Sequence, residues 1–222
     1  MPQRTTWAAW LAVGMVSLAV AVPARAQESK YAKSEYVSLF DGKTLGGWNF
    51  LPMKAGSDSK WEVKDGVIVG TGEPSMLFSP TGEYKNFKFK AEVKINDKGN
   101  SGMYFRSEKK ASFTDGYECQ INSTGGDPIK TGSIYTMVHL YDILVPADTY
   151  FTQEVEVVDK DYRGKIVTVI KVSVNGKILY EYLDYNRTHQ GGYFAFQQHD
   201  PKSVISIRKI EVMKLPDTPA KK

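Results

Sequence analysis

Residues 87–95 read Phe-Lys-Phe-Lys-Ala-Glu-Val-Lys-Ile, with an apolar side chain at every second position and a charged one between. Successive side chains of a strand point to opposite faces, so this alternation predicts a β-strand with one buried and one solvated face. Such strands are typical of antiparallel sheets that pack on a core through one face only. No long window after the first 26 residues shows a helical period, and the chain is therefore predicted to be all-β.

Further strand patterns follow along the chain, separated by short turns. Asp65-Gly66 and Asn175-Gly176 are typical of two-residue hairpin turns, because Gly tolerates the positive φ angles that such turns need. Many short strands without helices indicate a two-sheet sandwich or a barrel. The predicted strands are 36–40, 61–64, 67–70, 76–79, 87–95, 102–106, 117–122, 154–158, 166–174, 177–183, 192–198 and 203–213.

The last of these strands contains an irregularity. Ile205 and Ile207 share one phase of the alternation, whereas Ile210 and Val212 share the other. A bulge near Arg208-Lys209 would return all four apolar side chains to one face. A strand buried on both faces is the alternative that the pattern leaves open.

The first 26 residues have the pattern of a cleavable secretory signal peptide. Arg4 precedes an apolar run over residues 7–22, and Ala24-Arg25-Ala26 is typical of a cleavage site. The run is shorter than the roughly 20 residues of a membrane-spanning helix, and no Cys follows the site, which argues against a membrane or lipid anchor. The sequence therefore predicts a periplasmic or secreted protein, cleaved between Ala26 and Gln27.

Behind this leader, the chain is predicted to form one domain. Residues 27–35 are a polar lead-in, residues 36–215 form the β-sandwich, and residues 216–222 form a short disordered tail. The net charge of the chain is +4, and loss of Arg4 and Arg25 with the leader would leave +2. So weak a charge gives no indication of nucleic acid as a partner. Nothing in the composition indicates an oligomeric state.

Cys119 is the only cysteine in the chain. A single cysteine cannot form an internal disulfide, so the stability of an exported protein would have to come from its apolar core. Cys119 lies between Glu118 and Gln120, and the alternation turns it to the opposite face. We therefore expect a buried, inert thiol rather than a nucleophile.

Three of the predicted strands alternate apolar residues with polar residues that can carry chemistry. Because the apolar neighbours predict the core side, the polar side chains should converge on one open surface. Amides and carboxylates pair with hydroxyl groups, and aromatic rings stack on the C–H faces of a pyranose, so this mixture indicates a carbohydrate ligand. The converging residues are Glu118, Gln120 and Asn122 of one strand, Tyr104 and Arg106 of another, and Tyr193, Gln197 and His199 of the third.

Glu118 and His199 are the candidates for proton transfer, because burial can tune either group towards neutral pH. Arg106 could stabilise a developing oxyanion. The alternative is that Arg106 and Glu118 only form a cross-strand ion pair. The irregular stretch 123–149 is predicted to form a long loop, which in a compact sheet protein is often functional.

The chain lacks the motifs that mark several other classes of site. It has no H-E-x-x-H, paired C-x-x-C, P-loop or G-x-S-x-G, and the carboxylate pair of an ordinary glycosidase is not evident. The sequence requires no cofactor. A divalent metal, held by His199 and carboxylates that meet only in the fold, stays open.

Several short boxes in fixed order resemble the family of secreted 3-keto-disaccharide hydrolase domains. Together they extend from about residue 36 to residue 215. The resemblance implies a concanavalin-like jelly-roll sandwich of two antiparallel sheets with a ligand face. The boxes are 39–45 with Gly47-Trp48, 61–68, 99–106, 116–121, 131–135, 174–176, 196–199 and 207–210.

The resemblance also implies action on sugars that already carry a ketone at carbon 3. The ketone acidifies the hydrogen on carbon 2, a base removes it, the aglycone leaves carbon 1, and water then adds to the enone. In this scheme Glu118 and His199 would transfer protons, and Arg106 would stabilise the enolate. The predicted substrate-binding residues are Asn100, Tyr104, Gln120, Tyr135, Tyr193 and Gln197.

Two segments differ from the family pattern. Asp148-Thr149-Tyr150-Phe151 stands where the family has Gly-x-Trp-Asn, and Arg208-Lys209-Ile210 stands where it has Arg-Asn-Ile. The first difference removes a tryptophan that would serve as a sugar platform or a core residue.

Two other functions fit the same sandwich, because one architecture hosts many functions. One is a carbohydrate-binding module without catalysis, and the other is an interaction protein of the cell envelope. We favour the enzyme because binding modules usually accompany a separate catalytic domain.

Overall fold

The computed structural model describes residues 35–217, and every helix or strand assigned in that part of the chain is a β-strand. No helix there could cross a membrane. The strands are β1 (Val37–Ser38), β2 (Asn49–Pro52), β3 (Lys60–Lys64), β4 (Val67–Thr71), β5 (Ser75–Phe78), β6 (Phe87–Ile95), β7 (Ser101–Ser107), β8 (Tyr117–Ile121), β9 (Phe151–Tyr162), β10 (Lys165–Val174), β11 (Lys177–Asp184), β12 (Tyr193–Gln198) and β13 (Ile205–Lys214).

These strands form two antiparallel sheets. The larger sheet has the order β11-β10-β9-β6-β13-β4-β3, and β1 also pairs with β13. The smaller sheet has the order β2-β5-β12-β7-β8. One apolar core lies between them and takes side chains from both sheets. The predicted two-sheet sandwich is confirmed, and the barrel alternative is wrong.

Strand β6 shows why the alternating pattern is decisive. Its five apolar side chains are at most 1% exposed and face the smaller sheet, whereas its charged side chains lie on the outer face of the larger sheet. There Lys88 pairs with Glu156 at 3.0 Å and Lys90 with Glu211 at 3.3 Å. Such partly exposed pairs contribute little stability, and burial of the apolar face holds the strand in place.

The bulge predicted in β13 is present. Its register against β6 shifts between Arg208 and Glu211, and Lys209 has a φ of 52°. As a result, the four isoleucine and valine side chains of both phases are at most 3% exposed. The bulge also directs the guanidinium of Arg208 to Glu92, at 2.7 Å.

A second bulge, in β7, was not predicted. The register between β7 and β12 is interrupted, so that Phe105 and Arg106 lie opposite the single residue Phe194. Arg106 has a φ of 49°, in the left-handed region that few non-glycine residues adopt. This conformation breaks the alternation and turns the Arg106 side chain into the space between the sheets.

Other differences from the predicted strands concern their ends. Strand β1 is shorter than expected, and β9 begins at Phe151 rather than at residue 154. Strand β2 was missed, because its four residues are short for a pattern and end in a proline, which suits an edge position. The predicted leader, most of the lead-in and the tail beyond residue 217 lie outside the described residues.

Phe194 lies at the centre of the aromatic part of the core. Its ring stacks on Phe89 of the larger sheet at 3.9 Å between centroids and on Tyr84 at 4.2 Å. Phe87 approaches it edge-on at 4.8 Å. The ring therefore contacts the facing sheet directly.

We expect Phe194→Ala to lower the free energy of unfolding by about 3–5 kcal/mol, because it removes buried contacts and leaves a cavity. Urea or guanidinium titration followed by tryptophan fluorescence measures the change. Phe50→Ala is the matched control, since Phe50 is 40% exposed and should lose far less. Equal losses in the two variants would contradict this account of the core.

Candidate functional site

A cavity of about 390 Å³ opens on the outer face of the smaller sheet. Its floor comes from β8, from β12 and from Asn100, the residue before β7. Its walls come from the loop before β8, from the irregular segment after β8, and from the segments that precede and follow β12. The floor residues are Asn100, Glu118, Gln120 and Gln197, and the wall residues used below are Phe113, Asp127, Tyr135, Thr188, His189 and His199.

Glu118 is the central group of the floor. It lies in β8, opposite Tyr104 of β7, and is 8% exposed. The pKa of Glu118 is raised to about 8, chiefly by burial; the neighbouring Tyr104 hydroxyl opposes the rise and the Asp127 carboxylate adds to it. A carboxyl group in this state can exchange a proton near neutral pH.

The packing around Gly102 of β7 requires a glycine at this position. A Cβ atom at this position would overlap the carboxyl group of Glu118, and it would come within 2.8 Å of the Tyr104 ring. Only glycine therefore leaves room for the Glu118 side chain to lie across β7.

Tyr104 lies beneath the cavity rather than in its lining. It is fully buried, and its hydroxyl donates to the backbone oxygen of Phe113 at 3.1 Å and accepts from Gln197 Nε2 at 3.0 Å. The predicted direct contact of Tyr104 with substrate is not supported by this placement. Instead, Tyr104 holds Gln197 and the Phe113 loop in position.

Three amide side chains of the floor have buried oxygen atoms without a hydrogen-bond partner among the described residues: Asn100, Gln120 and Gln197. They are 8%, 1% and 2% exposed. The Nε2 atoms of Gln120 and Gln197 donate to Ile129 O and Tyr104 Oη, which fixes the oxygens as the free ends, because a carbonyl oxygen cannot donate. Buried polar atoms usually have a partner, and an ordered water or a donor group of a ligand would satisfy these three oxygens.

The irregular segment after β8 supplies a second carboxylate, which the sequence pattern did not predict. Asp127 Oδ2 accepts from the Tyr135 hydroxyl at 3.1 Å, and Oδ1 accepts from the Ile129 amide at 2.8 Å. Tyr135 was predicted as a binding residue and lines the cavity. The prediction that segment 123–149 is functional contained the only signal for Asp127, since Asp127-Pro128 belongs to no strand pattern.

The same segment is anchored by Asn122, which was predicted to share the ligand face with Glu118. Its amide nitrogen donates to the backbone oxygens of Asp127 and Ile129, each at 3.0 Å, and its oxygen accepts from the Gly125 amide at 2.8 Å. Asn122 therefore shapes the wall of the cavity from within and is not exposed to a ligand.

His199 lines the cavity at the end of β12, as predicted. Its Nδ1 lies 2.9 Å from Asp200 Oδ2, and its ring stacks on Phe113 at 5.8 Å between centroids. Burial alone would raise the pKa of Asp200, but hydrogen bonds from His199, Lys202 and Ser203 lower it below its ordinary value. An ionised Asp200 orients the imidazole and leaves Nε2 towards the cavity.

The prediction that Arg106 lies on the ligand face is wrong. The bulge in β7 directs its guanidinium between the sheets, where the side chain is fully buried and pairs with Asp159 of β9 at 3.0 Å. It also donates to Lys85 O at 2.6 Å, to Thr168 Oγ1 at 3.0 Å and to His189 O at 3.1 Å. The alternative pairing of Arg106 with Glu118 is equally wrong, since Asp159 is its partner.

Tyr193 lies outside the cavity as well. Its ring contacts Phe78 edge-on at 6.3 Å and borders a separate cleft that includes Tyr84 and Lys85. It shares the outer face of β12 with Gln197, but it stands two pleats further along the strand, beyond the loop that carries Phe113.

His189 and Thr188 are wall residues that the sequence did not single out. The segment that holds them precedes β12 and has no strand pattern. The His189 ring lies edge-on to Tyr117 at 4.8 Å, and burial lowers its pKa.

Cys119 is fully buried in the core, as predicted, and burial raises the pKa of its thiol. Within residues 35–217, no group of three or more His, Cys, Asp or Glu side chains is arranged to hold a metal ion. The oxygen donors that line the cavity are the carboxylates of Glu118 and Asp127 and the amides of the floor, and oxygen donors of this kind are those that calcium and magnesium prefer.

A model of the 3-keto-alpha-glucoside-1,2-lyase-like domain matches residues 35–213 of the chain. A 3-keto-disaccharide hydrolase of Bacteroides thetaiotaomicron is 33% identical over 87 residues, a match that spans 35% of this chain and 29% of that protein.

Two solved structures share the fold. A candidate glycosyl hydrolase of Parabacteroides distasonis is 25% identical, with a TM-score of 0.65 over 82% of this chain and 94% of that chain. The carbohydrate-binding module CBM66 of Bacillus subtilis is 15% identical, with a TM-score of 0.56 over 76% of this chain and 96% of that chain. The predicted concanavalin-like jelly roll is confirmed.

We expect Asp159→Asn to lower the free energy of unfolding by about 3 kcal/mol or more at pH 7, because it leaves the buried Arg106 charge without its partner. Burial alone would raise the pKa of Asp159, but Arg106, Thr168 and Arg187 lower it. The difference in free energy of unfolding between the wild-type protein and Asp159→Asn should therefore be largest near neutral pH and be lost as acid protonates Asp159. Denaturant titrations at pH 7 and in acid measure this difference, with Asp142→Asn, at an exposed position, as the control. Equal losses of stability in the two variants at pH 7 would contradict the prediction.

We expect Glu118→Gln to stabilise the fold increasingly as the pH rises from 4.5 to about 8. In this interval the native carboxyl retains a proton that the unfolded chain releases, so the wild-type protein loses stability with rising pH, and glutamine does not. Denaturant midpoints at pH 5, 7 and 9 give the difference. The exposed Glu181→Gln should show no such trend, and a pH-independent effect of Glu118→Gln would contradict the raised pKa.

Proposed function

This chain belongs to the 3-keto-alpha-glucoside-1,2-lyase-like domain family, and on that premise we propose that it cleaves glycosides whose sugar carries a ketone at carbon 3. The observation that supports this proposal best is the buried carboxyl group of Glu118, set among three amide oxygens without partners. The cavity of about 390 Å³ has room for a sugar residue.

The proposed reaction begins with removal of the proton on carbon 2. The neighbouring ketone acidifies this C–H bond, because the resulting enolate is delocalised onto the keto oxygen. Glu118 is the base, and the elevated pKa of its carboxyl group increases its affinity for the proton while leaving a usable ionised fraction near neutral pH. One base is enough for this step, so no nucleophilic carboxylate is needed.

The enolate then expels the aglycone from carbon 1, and the product is an enone. His199 lines the cavity, and Asp200 holds its Nδ1. In its protonated form it donates the Nε2 proton to the departing oxygen, and the neutral ring that results then activates the water that adds to carbon 1. Elimination followed by hydration amounts to hydrolysis of the glycosidic bond. No change in oxidation state is involved, and the ketone must therefore be supplied by an earlier oxidation of the sugar.

Substrate recognition follows from the polarity of the floor. The oxygens of Asn100, Gln120 and Gln197 accept hydrogen bonds from sugar hydroxyl groups, and this satisfies groups that are otherwise buried without partners. The rings of Phe113 and Tyr135 line the cavity and offer faces on which the C–H groups of a pyranose can stack. A periplasmic or secreted location, from the proposed signal peptide, would give the protein access to such sugars.

The alternative is that the cavity only binds a sugar. The same acceptor floor would serve a binding module, and Glu118 would then contribute hydrogen bonds rather than proton transfer. The Glu118→Gln variant distinguishes catalysis from binding. Glutamine keeps the shape of the side chain, so sugar binding should persist, but it cannot take up a proton, so turnover should be lost.

We expect purified protein to release the aglycone from 3-keto-trehalose or 3-keto-lactose, and Glu118→Gln to lose turnover by at least about 10²-fold while still binding the sugar, since general-base catalysis contributes on this scale. Chromatography of products, with and without a chelator, measures turnover, and calorimetry with the Glu118→Gln variant measures binding. Glu181→Gln is the control for the substitution itself.

If the wild-type protein binds 3-keto sugars but releases no product, the cavity belongs to a binding module and not to an enzyme. Failure of both binding and turnover would overturn the proposed function altogether.

A further inference from the structure

We propose that the imidazole of His189 donates the hydrogen bond that stabilises the enolate oxygen, the role that the sequence had suggested for Arg106. This inference rests on the proposed function, since it concerns the same reaction in the same cavity. It assigns a role to a wall residue that the comparisons leave without one.

The structure fixes the backbone of His189 at both its amide and its carbonyl group. Its N–H donates to the Tyr117 hydroxyl at 3.2 Å, and its carbonyl oxygen accepts from the buried Arg106 guanidinium at 3.1 Å. The ring rests edge-on against Tyr117, with 4.8 Å between centroids. A residue in an otherwise irregular segment is thus held from behind by two core side chains, and its ring borders the cavity.

The anchor behind His189 is itself secured by Asp184. The Tyr117 hydroxyl donates to Asp184 Oδ2 at 2.6 Å, which also accepts from the Thr188 amide at 2.7 Å, and Oδ1 accepts from the Asn186 amide at 2.9 Å. These bonds shape the turn between β11 and His189. Such preorganisation is what a group needs if it is to meet a charge that develops only in the transition state.

Few side-chain N–H groups of the cavity lining are free to donate, which makes the position of His189 significant; the side-chain amide nitrogen of Asn100 in the floor is another such donor. A keto oxygen can only accept a hydrogen bond, and so it cannot be satisfied by the amide oxygens of the floor. The Tyr135 hydroxyl donates to Asp127, and His199, held at Nδ1 by Asp200, serves the departing oxygen at carbon 1 in the proposed reaction. Neither ring nitrogen of His189 has a hydrogen-bond partner within residues 35–217.

The threonine hydroxyls of the wall are weaker candidates for this donor. Thr114, Thr136 and Thr188 are all exposed to solvent, so water competes for them. The His189 ring is half-buried, and burial lowers its pKa; Arg106 lowers it further, against the carboxylates of Asp115, Asp184 and Glu108. A neutral imidazole in this setting donates an N–H without surrendering its proton, as a stabiliser of an enolate oxygen should.

The step balances without any further reactant. The Glu118 carboxylate takes the proton from carbon 2, and the electron pair of that C–H bond forms the double bond between carbons 2 and 3. The carbonyl pair moves to the keto oxygen, which accepts the hydrogen bond from His189. When the enolate collapses, the pair returns to expel the aglycone, and His189 has neither gained nor lost a proton.

The test measures deprotonation separately from departure of the aglycone. Wild-type protein is incubated in D₂O with 3-keto-glucose, in which a hydroxyl replaces the aglycone, and exchange of the hydrogen on carbon 2 is followed by NMR. We expect His189→Leu to slow this exchange by about 10²-fold or more, the scale on which one oxyanion donor contributes. His189→Gln, which retains an N–H donor, should recover part of the rate, and His139→Leu, an exposed histidine outside the cavity, should not change it.

A second measurement distinguishes an enolate stabiliser from an acid that protonates the aglycone. Turnover of a 3-keto-glucoside with 4-nitrophenol as aglycone should be reduced by His189→Leu as strongly as turnover of 3-keto-trehalose, because deprotonation precedes departure in both. If the activated aglycone restores the rate, His189 acts on the leaving group and the proposal is wrong.

The remaining outcomes separate this inference from the proposed function. Exchange by the wild-type protein that His189→Leu leaves unchanged, in a variant whose circular dichroism and denaturant midpoint show it folded, overturns the inference alone. If the wild-type protein catalyses neither exchange nor cleavage of any 3-keto substrate, the proposed function fails and this inference fails with it.

Discussion

The structure depends on a single charged side chain held between the two sheets. Arg106 donates to the carboxylate of Asp159, to the hydroxyl of Thr168 and to the backbone oxygens of Lys85 and His189. A guanidinium taken out of water is costly, and it is tolerated only when its donors are satisfied. Arg106 belongs to the smaller sheet, and the groups that satisfy it belong to the larger sheet and to two connecting segments, so one charge fixes their relative positions.

The position of Arg106 also determines the shape of the cavity, through the backbone segments that it holds. The β7 bulge that directs Arg106 inward lies two residues beyond Tyr104, which supports Gln197 and the Phe113 loop from beneath. On the other side, Arg106 holds the carbonyl of His189. A charge that touches no ligand therefore determines where two walls of the cavity stand. We regard Arg106 as a positioning residue, and the catalytic role expected of it passes to the group it holds.

Alternation of side chains was sufficient to predict most of the strands, the core faces and the outward direction of Glu118, Gln120 and Gln197. It also located the β13 bulge, because apolar residues in both phases of one strand cannot all face the core unless the alternation is interrupted. The β7 bulge left none: Arg106 is polar, and a polar residue in the outward phase looks regular. A non-glycine residue with positive φ gives no signal of its own.

Asp127 and His189 could not be predicted either, since both lie in segments without a periodic pattern and are held at the cavity by contacts with residues distant in sequence.

The two carboxylates of the cavity show why it differs from that of an ordinary glycosidase. Both oxygens of Asp127 are occupied, by Tyr135 and by the Ile129 amide, so this group is poorly placed to attack a sugar or to exchange a proton. Its effect is electrostatic: its charge, added to burial, raises the pKa of Glu118. A nucleophile would be weakened as a leaving group by such a rise, whereas a base that must remove a proton from carbon is strengthened. The two carboxylates together thus favour proton abstraction over displacement. The amide oxygens of the floor cannot satisfy a keto oxygen, which needs a donor such as the His189 imidazole.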